Sequence, residues 1–195
     1  MRRPYGEGKT KKIFGIILII TMFGSVFTFI FFGLHSVGRA SGVVEYNDFE
    51  FINRGAYWST NIDGREALFT YLPSDLSFVF IDNDIINQLK NVVQIDTTSE
   101  FNDTFAESIA LTQFQMGSTL NNFNIFLRSG FTTEQQNFPV ISCDDATNFV
   151  PVIYFKSSNI TNISLENSCI IVEAPTGIDF IRIKDKLVYG ILNII

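Results

Sequence analysis

The most prominent feature of the hydropathy pattern is an uninterrupted apolar run near the N-terminus. Residues 13–34 read IFGIILIITMFGSVFTFIFFGL, 22 residues without a charged side chain. At about 1.5 Å per residue a helix of this length extends roughly 33 Å, enough to cross a hydrocarbon core of about 30 Å. The run predicts a single transmembrane helix. The alternative is a cleaved signal peptide, whose apolar region normally has only about 7–15 residues.

The charges that flank this helix predict its orientation. Five Lys and Arg residues lie within residues 1–12, whereas His35 and Arg39 follow the helix closely. Because positive flanks stay in the cytoplasm, we expect a basic cytoplasmic tip at residues 1–12. Residues 35–42 are small and polar, which favours a tether. Residues 43–195 then form an extracytoplasmic domain. The predicted location is the cell membrane, single-pass, with the lipid bilayer as one partner.

Beyond the tether, apolar and polar positions alternate in a way that is typical of β-strands. Turns are expected at Asn53-Arg54-Gly55 and at Asp63-Gly64. Asp-Gly between strand-like runs favours a type I′ hairpin turn, in which both central residues have positive φ. The prediction is a three-stranded antiparallel meander with strands at VVEYNDFEF (43–51), AYWSTNI (56–62) and REALFTYL (65–72).

Helical and strand-like patterns alternate over the rest of the chain, which predicts a mixed α/β or α+β fold. One helix is expected at 84–90 with Asp82 or Asn83 as its cap, and another after Thr176. A longer helix is expected from Thr97 to about Met116, closed by Gly117. Further strands are expected at VVQID (92–96), NFNIFLRS (122–129), VPVIYF (150–155) and SCIIVE (168–173).

Composition indicates a folded, acidic domain. Hydrophobic residues make up 46% of the chain and charged residues 17%, which is too apolar for a disordered protein. Residues 1–39 carry a net charge of +5, whereas the rest carries 8 basic and 19 acidic side chains, a net −11. Such a domain repels phosphate backbones, so nucleic acid is not an expected partner.

The two cysteines, Cys143 and Cys169, are expected to form a disulfide bond. Two cysteines in an exported domain usually pair, and here they flank two predicted strands. The alternatives are two buried free thiols or a catalytic cysteine. Asp144 and Asp145 oppose the catalytic reading, because their charges repel a thiolate. In the entropic model, closing this loop of about 27 residues stabilises the fold by roughly 3 kcal/mol.

Other candidate chemistry is sparse. His35 is the one histidine of the chain, so the domain has no histidine for a catalytic triad or a metal cage. Three acidic clusters remain, and each has a structural interpretation: helix capping for 96–100 and 82–84, and a solvated loop or helix start for Asp144-Asp145. The competing readings are a metal-adhesion loop, a calcium loop and an acid/base pair. We assign no catalytic, cofactor-binding or metal-binding residue.

Three N-x-[ST] sequons are candidate glycosylation sites in an exported domain. They begin at Asn102, Asn159 and Asn162, in predicted helix-start or loop positions.

Four segments carry a resemblance to a known group of proteins: FTYLP (69–73), CDDAT (143–147), VPVIYF (150–155) and the tail from CIIV to GIDFIRIKDKLVYGIL. With the basic tip and the Phe/Ile-rich helix, the chain resembles uncharacterised membrane-anchored proteins of small-genome archaea. The resemblance implies an outward-facing domain and transfers no catalytic residue.

The function expected from the sequence is that of a non-enzymatic surface protein, which binds an unidentified protein or serves in envelope assembly. The alternative is a carboxylate-based envelope hydrolase that acts on glycan or peptide. A third option is a membrane complex in which the helix itself makes specific contacts. A cluster of Asp and Glu with raised pKa values in one deep pocket would favour the enzyme, and a flat apolar patch would favour binding.

Overall fold

The structure, a computed structural model, describes residues 42–135 and 137–195. The predicted cytoplasmic tip (1–12), the predicted transmembrane helix (13–34) and the tether as far as residue 41 lie outside the described residues. Within the part of the chain that is described, no helix is both long and apolar enough to cross a membrane.

The described chain begins with an antiparallel sheet of four strands, which pair in the order in which they occur in the sequence. The predicted meander is therefore confirmed, but the predicted number of three strands is wrong. The expected strand at 43–51 reverses at Asn47, whose φ is 51°. Asparagine tolerates this left-handed conformation. The strands are β1 (Val43–Tyr46), β2 (Phe49–Asn53), β3 (Trp58–Ile62) and β4 (Arg65–Phe69).

The hairpin turn at Asp63-Gly64 is confirmed. Asp63 has φ 51° and Gly64 has φ 80°, as a type I′ turn requires, and Ile62 pairs with Arg65 across it.

A second sheet has five strands in the order β6-β5-β7-β9-β8. The first four are parallel, and β8 pairs antiparallel with β9 at one edge. Strand β8 was not predicted, because residues 159–164, which include its first three residues, were expected to form a polar loop. These strands are β5 (Gln94–Ser99), β6 (Phe126–Phe131), β7 (Val152–Ser157), β8 (Asn162–Glu166) and β9 (Cys169–Ala174).

Three α-helices are described: α1 (Asn83–Leu89), α2 (Ala106–Asn121) and α3 (Gly177–Ile191). The predicted cap of α1 is confirmed, since the Asp82 side chain accepts a hydrogen bond from the backbone of Asp84. Thr176 is the N-cap residue of α3, but its side chain caps no backbone N–H; its hydroxyl donates to the Asp179 carboxylate at 2.6 Å instead.

The bounds predicted for α2 were wrong at both ends. Thr97 lies in β5, where its hydroxyl bonds to that of Ser129 on β6, so tertiary pairing overrides the local capping pattern. Gly117 lies inside the helix, 3.4 Å from Leu127 at its Cβ position. Sheet pairing therefore shifts the start of the helix to Ala106.

Helix α3 is the centre of the core and contacts both sheets. The ring of Tyr189 stacks on Phe69 of the first sheet, with centroids 4.0 Å apart. The ring of Phe180 meets Phe155 of the second sheet edge-to-face at 6.1 Å. The two sheets therefore share one hydrophobic core around this helix.

Candidate interaction surface

The structure places Cys143 and Cys169 at disulfide-bonding distance, with their Cα atoms 5.2 Å apart, which confirms the predicted pair. Cys169 is the first residue of β9, and the bond packs beside Ile141 and Val152. The disulfide therefore fastens the connection between β6 and β7 to the sheet.

The acidic clusters have structural roles. Asp96 does not lie next to a helix start as expected: its buried carboxylate accepts hydrogen bonds from Arg128 and Gln94. Asp145 accepts from the backbone of Ser142 at 2.8 Å, which fits the predicted helix start. Among the residues described, no three His, Cys, Asp or Glu side chains are grouped so that they can hold a metal ion.

All three sequon asparagines are exposed. Asn102 lies in the turn after β5, and Asn159 precedes β8. Asn162 is the first residue of β8, and its amide donates to Glu173 at 3.0 Å. Glycosylation of these residues stays a prediction.

In the strand order β6-β5-β7-β9-β8, the chain first passes from β5 to β6 on one side and then to β7 on the other side. The crevice between the carboxyl ends of β5 and β7, where the strand order reverses, is the usual ligand site of an open α/β sheet. Here the Asp103 carboxylate links the segment after β5 to the end of β7. One carboxylate oxygen accepts from the backbone of Ser157 at 2.8 Å and the other from Phe105 at 2.7 Å. The Asp103 side chain therefore has a structural role at this point.

A depression lies between α2 and the end of β6. We call it the aromatic groove; its volume is about 480 Å³, and Phe101, Phe114, Phe131 and Phe138 line it. The Phe131 ring meets Phe101 and Phe138 edge-to-face, at centroid distances of 5.4 and 5.2 Å. Phe114 is 73% exposed, and Phe101 and Phe138 are each 55% exposed. The groove thus presents three large apolar side chains to solvent.

Gly130 explains why Phe138 stands at this groove. A side chain at this position would overlap the carbonyl oxygen of Pro139, so only glycine lets the segment approach β6 so closely. That carbonyl accepts from the backbone of Phe131 at 3.1 Å, and Ile141 donates back to Phe131 at 2.9 Å.

A second depression lies on the other side of Phe114, between α2 and β4. We call it the lysine cavity; its volume is about 260 Å³, and it is lined by Tyr57, Leu68, Phe69, Phe114, Gln115 and Lys184, among others. Phe114 therefore forms a wall shared by the aromatic groove and the lysine cavity.

The buried Lys184 of this cavity forms an ion pair with the adjacent Asp185. Burial raises the pKa of Asp185, although the charge of Lys184 and the hydrogen bonds from Thr70 and Tyr71 oppose the rise. Asp185 accepts from these two backbone N–H groups at 2.8 and 2.9 Å. The carboxylate therefore holds the chain after β4, and Lys184 compensates its charge.

The charged side chain that lines the aromatic groove is that of Glu107. Glu134 lies with Phe138 along a neighbouring depression. The apolar surface is thus bordered by negative charge, in keeping with the net −11 of residues 42–195.

This surface was not predicted from the sequence, because the start of α2 was expected too early in the chain. The expected helix put Phe101, Phe105 and Ile109 on one face, but Phe101 lies before the helix. With the correct bounds, α2 has a buried face that includes Ile109, Met116 and Leu120, and an exposed apolar side with Leu111 and Phe114. A second apolar side on a helix that covers a sheet is the sequence pattern that predicts such an exposed surface.

Comparison with protein-family models, with curated proteins and with solved structures finds no match to this chain. The fold and the groove define a mixed α/β domain with an exposed aromatic surface between α2 and the end of β6.

Proposed function

We propose that the protein is a membrane-anchored surface protein whose outward-facing domain binds a partner polypeptide through the aromatic groove. The observation that carries this proposal is the exposure of Phe101, Phe114 and Phe138 at one groove. Contiguous exposed apolar surface marks interaction sites on soluble domains, and aromatic residues are enriched in the cores of protein interfaces.

The alternative, a carboxylate-based envelope hydrolase, needs two carboxyl groups with separately tuned pKa values in one cleft. Burial raises the pKa of Asp185. Its side chain is enclosed and already accepts two backbone hydrogen bonds. The observations therefore support binding rather than this chemistry.

Co-purification with matched variants tests the groove. The detergent-solubilised full chain is compared with Phe114→Ser/Phe138→Ser and with Phe80→Ser/Phe149→Ser, whose rings are at least as exposed but lie outside the groove. Truncation of an aromatic anchor costs about 2 kcal/mol or more, so partner recovery should fall more than tenfold for the groove variant. Equal recovery with all three proteins would contradict the proposal.

Protease treatment of intact cells tests the outward orientation separately. Residues 43–195 should be digested together with a known exterior marker. If this portion survives while the marker is cut, the orientation is wrong.

A further inference from the structure

Two glutamines flank the exposed Phe114 on α2, and each has a buried amide atom without a hydrogen-bond partner among the described residues. The atoms are Nε2 of Gln113, a donor, and Oε1 of Gln115, an acceptor. Gln113 itself is only 9% exposed. Leaving such a buried group unpaired is unfavourable, so each of these two atoms is available to pair with a bound group.

The two glutamines serve the two depressions separately. Gln113 lines the aromatic groove, and Gln115 lines the lysine cavity. Both atoms are enclosed in the free chain. A ligand that crosses Phe114 from the groove to the cavity therefore reaches the amide donor on one side and the amide acceptor on the other once these side chains rotate outward, a rotamer change that is common at interfaces.

A polypeptide backbone has this combination of groups. Each residue offers a C=O acceptor and an N–H donor, and successive side chains of an extended segment point to opposite sides. We infer that the groove and the cavity together bind an extended segment of the partner polypeptide. Its C=O and N–H groups pair with Gln113 and Gln115, and two of its apolar side chains enter the groove and the cavity.

The inference rests on the proposed function and specifies the partner further. Glu107 lines the groove, and residues 42–195 carry a net charge of −11, so the complementary segment contains Lys or Arg beside its apolar residues. A lipid chain would cover the rings but would leave both amide atoms unpaired, and an anionic headgroup would be repelled by this charge.

A random 12-residue phage-displayed peptide library, selected on the detergent-solubilised full chain, provides the probe. We expect enriched peptides to contain two apolar residues and at least one Lys or Arg. Binding of a labelled enriched peptide is then measured by fluorescence anisotropy to the wild type, Gln113→Leu, Gln115→Leu and Phe114→Ser, with Phe149→Ser as the matched control. N-methylated versions of the peptide, each with one backbone N–H removed, are measured on the wild-type chain.

The expected result is that each Leu variant weakens binding about three- to tenfold and Phe114→Ser more than tenfold, while Phe149→Ser has no effect. One N-methylated peptide should bind as weakly as the wild-type peptide binds to Gln115→Leu. If a variant fails to fold, the N-methylated series on the wild-type chain still decides the question.

Two other outcomes overturn different statements. If Phe114→Ser weakens binding but the Leu variants and the N-methylated peptides do not, the groove binds a partner but the backbone pairing is wrong. If no peptide is enriched, or if enriched peptides are insensitive to Phe114→Ser, the extended-peptide inference fails, whatever the co-purification shows.

Discussion

At the scale of single residues, replacing Gln113 by an apolar side chain should stabilise the folded protein. Its buried Nε2 has no partner among the described residues, so Gln113→Leu removes an unpaired polar group at nearly constant size. We expect the free energy of unfolding to rise by about 1 kcal/mol, measured by urea denaturation with Trp58 fluorescence. A gain in stability together with a loss of peptide binding is the trade-off expected of a functional residue. A loss of stability would show that the amide is paired in the folded protein.

Tyr189 should make stability depend on alkaline pH. Burial, with the nearby charges of Asp185 and Asp75, raises its pKa far above the ordinary value of 10.0. The Tyr189 phenol of the unfolded chain ionises near pH 10, whereas that of the folded chain stays protonated. The contribution of Tyr189 to the free energy of unfolding is therefore complete below pH 10 and is lost as the pH rises.

The variant Tyr189→Phe isolates this effect. The variant lacks the hydrogen bond, 2.6 Å long, that the Tyr189 hydroxyl donates to the carbonyl of Tyr71, so the free energy of unfolding at pH 7 should fall by about 1–3 kcal/mol. Above pH 10 the wild type should lose about 1.4 kcal/mol per pH unit more than the variant. The exposed Tyr57→Phe is the control. Parallel pH profiles for wild type and Tyr189→Phe would contradict the account.

At the scale of elements, replacing Gly117 and Gly130 by alanine should change the free energy of unfolding in opposite directions. Gly117 lies inside α2 with room for a methyl group beside Leu127, and alanine is a better helix former, so Gly117→Ala should stabilise by up to about 1 kcal/mol. Gly130→Ala would push Pro139 away from β6 and should destabilise by more than 2 kcal/mol. Urea denaturation measures both. A destabilised Gly117→Ala would restore the prediction that this glycine ends the helix.

Turns and helix caps that depend on neighbouring residues were predictable from the sequence, whereas strands that exist because they pair with distant strands were not. The Asp63-Gly64 turn and the Asp82 cap depend on neighbouring residues alone, and both were found. Residues 97–99 carry a capping pattern, but their position between β6 and β7 makes them a strand. Strand β8 exists because it pairs with β9, a contact that its polar sequence does not reveal.

At the scale of the whole molecule, the disulfide should be a major source of stability. It closes a loop between residues 26 positions apart, which in the entropic model contributes about 3 kcal/mol. We expect Cys143→Ala/Cys169→Ala to lower the free energy of unfolding by about that amount, and reduced wild type to resemble the variant. If reductant leaves the denaturation midpoint unchanged, or if peptide mapping finds both thiols free, the crosslink is absent in solution.

The candidate surface was less predictable than the fold. The pairing of Cys143 with Cys169 was suggested by their positions beside two predicted strands and by the expected export of the domain, both inferred from the chain alone. The aromatic groove arises from Phe101, α2 and Phe138, which tertiary packing brings together across distant parts of the sequence. The predicted anchor, together with the lack of a catalytic signature in the sequence, suggested a binding protein without showing where it binds.

Photo-crosslinking from position 114 tests the binding surface most directly. Full-length protein with a benzophenone side chain in place of Phe114 is irradiated with membranes of its source cells, beside the same protein labelled at Phe149. We predict a discrete adduct with a second polypeptide from position 114 and none from position 149. Equal adducts from both positions, or none from position 114, would contradict the assignment of the groove as the interaction site.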